Sequence, residues 1–134
     1  MSCVLRVGGT DFAVDEFLAG SSLKPIAVFR KGQSQLPEAI PHGRKISESG
    51  MHISASEADF SDVGAQISDA IAFLERNNAA LRQLVAFPGI EMMALDFGIE
   101  ERDVPAQTER FPPKLLKILG DLGISLKFTL YPPE

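Results

Sequence analysis

Met93, Leu95, Phe97 and Ile99 alternate without a break with Ala94, Asp96, Gly98 and Glu100, and a second such run follows at residues 125–131, where Leu126, Phe128 and Leu130 alternate with Ser125, Lys127, Thr129 and Tyr131. Strict period two sends successive side chains to opposite faces of a strand. Two such runs therefore commit the chain to a sheet with one apolar and one wet face. Residues 3–7 show the same pattern, with Cys3, Leu5 and Val7 set against Val4 and Arg6, and residues 51–55 repeat it with Met51, Ile53 and Ala55 around His52 and Ser54. Residues 26–30 are β-branched and aromatic and close on Lys31-Gly32, which reads as a further strand.

Between these runs the apolar period changes to that of a helix. Ser61 and the acids around it predict a helix start, and Val63, Ile67, Ala70, Ile71 and Leu74 recur at helical spacing. Asn77-Asn78 interrupts that stripe before Leu81, Leu84 and Val85 continue it to Pro88-Gly89. Pro112-Pro113 pre-sets another helix, carrying Leu115, Ile118, Leu119 and Leu122 inward and stopping at Gly123. A short helix with Phe12, Phe17 and Leu18 inward is expected after Gly8-Gly9, with Thr10 or Asp11 as its cap.

The order is β-α-β-β-α-β-α-β. Alternating rather than continuously apolar strands predict an α+β two-layer sandwich: a mostly antiparallel five-stranded sheet with the helices on one face. With 134 residues, 45% of them hydrophobic, the chain is expected to form a single domain over residues 1–134. The longest apolar runs are a few residues, far short of the ~20 that span a bilayer, so no membrane segment is predicted. The first residues lack a signal-peptide pattern, and the default expectation is cytoplasmic residence. Cys3 is the one cysteine, which rules out an intramolecular disulfide; its place on a strand reads as a small buried hydrophobe.

No catalytic residues are predicted. Gly8-Gly9-Thr10-Asp11 lacks the glycine spacing of a dinucleotide site and the Lys of a P-loop, and serves as a turn. His42 and His52 stand ten apart without another His or Cys pair, so no metal site and no cofactor is expected. The acids Glu57, Asp59 and Asp62 suit a helix start, and Glu100, Glu101 and Asp103 suit a solvated loop. No serine stands in a Gly-x-Ser-x-Gly elbow. These residues lean away from an enzyme without deciding the matter.

Charge layout is more informative. Residues 24–45 hold five bases (Lys24, Arg30, Lys31, Arg44, Lys45) against Glu38, whereas residues 46–75 hold six acids and no Lys or Arg. Such segregation can steer a charged partner. A net charge of −5 disfavours nucleic acid. If the apolar alternates point to the helices, Arg6, His52, Ser54, Asp96, Lys127, Thr129 and Tyr131 share the opposite face. That face is the first candidate binding surface, for a protein partner or a homodimer, and strand edges offer a related route by adding a strand from another chain. The second is the Pro-rich loop 33–44, which could act as a lid over a small molecule beside Arg30, His42 and His52.

Val7-Gly8-Gly9-Thr10-Asp11, Phe29-Arg30-Lys31-Gly32-Gln33, Gly50-Met51-His52-Ile53-Ser54 and residues 115–131, with Leu-Gly-Asp-Leu-Gly-Ile-Ser-Leu and the closing Tyr131-Pro132, resemble an uncharacterised bacterial domain-of-unknown-function family of small cytoplasmic proteins. Members commonly carry a Trp where this chain has Met51-His52-Ile53. The resemblance brings no catalytic residues with it. It implies an accessory or immunity-like binding protein.

Overall fold

The computed structural model describes residues 1–33 and 46–133. Along the chain lie β1 (Cys3–Gly9), α1 (Val14–Ala19), β2 (Ala27–Phe29), β3 (Ser49–Ser56), α2 (Val63–Arg76), α3 (Asn78–Ala86), β4 (Met92–Glu100), α4 (Pro113–Leu122) and β5 (Ser125–Tyr131). The five strands form one open sheet in the order β2-β3-β1-β4-β5. The α+β class and the five strands agree with the sequence pattern.

The expectation of a mostly antiparallel sheet is corrected: the sheet is mixed. β1 pairs antiparallel with β3 and with β4, and β2 antiparallel with β3, but β4 and β5 run parallel. The reason is the connection. A polar segment and the whole of α4 lie between β4 and β5, long enough to carry the chain back to the starting end of β4, as a crossover must. Side-chain alternation is the same in either direction and carries no sign of this.

Helix ends follow local chemistry with two shifts. Asp62, rather than Ser61, caps α2 by accepting from the Ala65 N–H at 3.0 Å, while Ser61 turns back to the Asp59 carboxylate. Thr10 does not cap α1. Its N–H and hydroxyl both donate to Glu91, tying the turn after β1 to the turn before β4, and α1 starts at Val14 without a side-chain cap. The long stripe breaks where Asn77-Asn78 stands: Asn77 donates its backbone N–H and its side-chain amide to the Phe73 carbonyl, and α3 sets off afresh. α4 begins with Pro113 and ends at Gly123, whose φ of 76° is the left-handed conformation that glycine adopts freely.

One core cluster joins Leu5, Val7, Met51, Ile53, Leu95, Phe97 and Ile99 of the strands to Phe17, Phe73, Leu74, Leu84, Leu115 and Leu119 of the helices. Each large side chain fully withdrawn from water contributes about 1.5–3 kcal/mol. β4 is more enclosed than its alternation implies, for Met93 through Ile99 are all buried. β1 and β5 flank it, Asp96 is held on its polar side, and the Phe60 ring lies over Gly98, where a Cβ would come within 2.5 Å of it. β5 departs in the other direction. Phe128 and Leu130, expected to point into the core, are 55% and 50% exposed.

Candidate functional site

Register places the predicted polar set on one side of the sheet. Arg6 of β1 stands opposite His52 of β3 and Ala94 of β4, Val4 stands opposite Asp96, and Asp96 pairs with Lys127 of β5. Thr129 follows beside Gly98, and Tyr131 beside Glu100 at the far end. Arg6, His52 and Asp96 alternate with residues of the core cluster, whereas Thr129 and Tyr131 alternate with the exposed Phe128 and Leu130.

Three of the five strands converge on Asp96, which is only 4% exposed. Arg6 Nε donates to Asp96 Oδ2 at 2.9 Å and the Thr129 hydroxyl donates to Oδ1 at 2.8 Å, so both carboxylate oxygens are engaged. An Arg6 Nη lies 3.3 and 3.5 Å from the two ring nitrogens of His52. A guanidinium has no acceptor, so its N–H donates to an unprotonated ring nitrogen. Burial lowers the His52 pKa from its ordinary value; the Arg6 cation lowers it further and Asp96 partly opposes both. The neutral ring is also held edge-on by Phe29, centroids 5.2 Å apart.

Chemically this is a satisfied network with its acid inward and its cation outward. Both Asp96 oxygens already accept a bond within the sheet, whereas the Arg6 side chain is 29% exposed and Lys127, in register with Asp96 on the edge strand, is exposed and makes no ion pair among the described residues. The face is suited to holding an anionic or polar group of a partner.

The residues of the loop proposal do not converge among the described residues. Arg30 is tied by two 2.7 Å hydrogen bonds to Asp15 of α1, and His52 faces Arg6. Gly32 N–H to Ile46 O and Ile46 N–H to Gln33 O pin the two ends of the loop together. His42 lies outside the described residues. A shallow depression of about 210 Å³ adjoins Arg30, lined by residues 12–16, at and before the start of α1, and by Ser49.

Two features were not read from the sequence. Phe60, just before the α2 cap, packs edge-on against Tyr131 with centroids 5.3 Å apart, beside an open depression of about 590 Å³ bordered by Asp59, Glu100, Pro132 and Pro133. On the core side of β5, the exposed Phe128 and Leu130 border a cleft of about 140 Å³ with Ile99, Gln107, Glu109 and Phe111. An aromatic directly before a helix start is a signal for the first. Nothing in the alternation of β5 distinguishes a covered apolar stripe from an uncovered one.

Among the described residues there is no group of three or more His, Cys, Asp or Glu placed to hold a metal ion, and no helix is long and apolar enough to cross a membrane. Cys3 is buried, and desolvation pushes its thiol pKa far up. Comparisons with protein-family models, with curated proteins and with solved structures find no match.

Proposed function

We propose that the chain is a protein-interaction or accessory protein, immunity-like in the sense implied by its resemblance, that works by binding rather than by catalysis. In this reading the helices form a single layer on the core side of the sheet, a two-layer arrangement that leaves the Arg6–Lys127 face and the β5 edge to a partner. The observation that carries it is the exposure of β5: a regular seven-residue strand at the sheet boundary, with Phe128 and Leu130 half out of water and a cleft beside them. Exposed apolar side chains in one contiguous strip mark interaction surfaces more often than solvated ones.

The test compares the native chain with a Phe128→Asp/Leu130→Asp variant in affinity capture from a lysate of the source cells, with the melting temperature of both measured. A defined protein, or a second copy, retained by the native chain and lost by a variant that melts within a few degrees of it supports the reading. Identical retention by both, with the native chain monomeric, defeats it.

A further inference from the structure

We propose that the β5 edge pairs with the β5 edge of a second copy of this chain, antiparallel, across a two-fold axis at Phe128. The inference rests on the interaction reading above and names its partner. Direction and register both follow from the backbone. The Tyr131 carbonyl accepts from the Glu101 N–H, on the β4 side, at 2.8 Å. In a strand the N–H and C=O of one residue point the same way and those of the next point oppositely. Ser125, Lys127, Thr129 and Tyr131 therefore bond inward to β4, and Leu126, Phe128 and Leu130 present their N–H and C=O outward. Among the described residues nothing takes up those groups.

That outward set is symmetric about Phe128. A two-fold axis there sets Phe128 against Phe128 as a hydrogen-bonded pair, and Leu126 against Leu130 on either side, so every free backbone group of the strand finds a partner. The side chains agree with it. On the core side apolar meets apolar, and the half-exposed Phe128 and Leu130 are covered. On the polar side Lys127, the one charge on the strand, falls opposite Thr129 of the other copy. Moving the axis to Lys127 puts two ammonium groups face to face, which destabilises a cross-strand pair. Moving it to Thr129 leaves an outward residue unpaired. Natural edges that stay single are blunted by charge, Lys above all, by Pro or by a bulge; β5 has a single charge, Lys127, is regular from Ser125 to Tyr131, and its prolines come only after it. Such an interface is isologous and closes at two copies.

The experiment uses the full chain. Light scattering should return twice the monomer mass for the native protein and the monomer mass for Phe128→Lys, which stays folded, with an unchanged circular-dichroism spectrum, because in the single copy that side chain is already half exposed. Register is read by disulfide trapping. At a hydrogen-bonded antiparallel pair the Cα atoms lie about 5.5 Å apart, within disulfide reach. Phe128→Cys should cross-link to itself under mild oxidation. Leu126→Cys alone should not, since its own mate lies about 13 Å along the partner strand, but it should cross-link when mixed with Leu130→Cys. Buried Cys3 stays silent. A native chain that remains monomeric at high micromolar concentration overturns the dimer, as does self-linking of Leu126→Cys as strong as that of Phe128→Cys. A monomer whose differential capture in the lysate experiment persists loses only this pairing, whereas a monomer without it loses the interaction reading as well.

Discussion

Removing either partner of the Arg6–Asp96 pair should have unequal cost, and the inequality follows from burial. In Arg6→Ala the Asp96 carboxylate, 4% exposed, keeps only the Thr129 hydroxyl. Breaking a buried ion pair from one side costs about 3–5 kcal/mol because the remaining charge stays desolvated. The Arg6 end is 29% exposed, which lets some water in and places the cost near the lower bound, about 3 kcal/mol. In Asp96→Ala the long Arg6 side chain can swing its head to water, so the loss is that of a charge-assisted hydrogen bond, about 2 kcal/mol. The double replacement Arg6→Met/Asp96→Leu removes both charges together and should cost about 1 kcal/mol or less. Urea unfolding followed by circular dichroism measures all three. A domain stable by about 5–15 kcal/mol leaves room for each loss, and unchanged m-values would license the comparison. Arg6→Ala proving milder than Asp96→Ala, or single losses that simply add up to the double, would refute the assignment of Asp96 as the buried, dependent member.

Gly50→Ala should destabilise by about 3 kcal/mol or more, because its Cβ would meet the Val7 carbonyl oxygen at 2.1 Å and the Phe29 ring at 2.7 Å; thermal melting checks this, and a neutral effect contradicts the β1–β3 register. The depressed His52 pKa makes the unfolded chain the better proton binder near neutrality. Its contribution to stability is therefore complete above the unfolded value of 6.5 and is lost as pH falls through that value toward the lower folded one. Urea midpoints at about pH 7.5 and about pH 5.5 should differ more for the native chain than for His52→Gln, and equal differences would remove His52 as the cause. Cys3 should react with a thiol reagent only at the rate of global unfolding, and rapid labelling of the native protein would contradict its burial.

The polar face was legible in the sequence because it depends on period two alone: once Cys3, Leu5 and Val7 turn to the core, Arg6 has only one direction left, and the same holds for Asp96 and Lys127. The strong local signals, Pro113 at a helix start, Gly123 at its end and Asn77 at the break between α2 and α3, were legible for the same reason. What could not be read depends on distant partners. The parallel direction of β5 comes from the α4 crossover, and the exposure of Phe128 comes from the place of β5 at the sheet boundary; neither alters any residue of the strand. The meeting of Arg6, His52, Asp96 and Thr129 at hydrogen-bond distance likewise needed the strand order. Thr10 misled because its hydroxyl found Glu91 across the fold before it found the N–H groups of a nearby helix.

β1 comes first among the strands in chain order yet lies in the middle of the sheet. Arg6 and Asp96 are ninety positions apart, and no ladder of β1 can close until a strand from much later in the chain arrives. Loop closure over such spans slows folding toward the millisecond-to-second range. During synthesis at about 5–20 residues per second, β1 therefore waits several seconds for β4 with one edge unpaired. The central strand is thus the one with the longest exposure to chaperones and to wrong partners, and mutations that weaken its ladders should lower the yield of folded protein more than they lower its final stability.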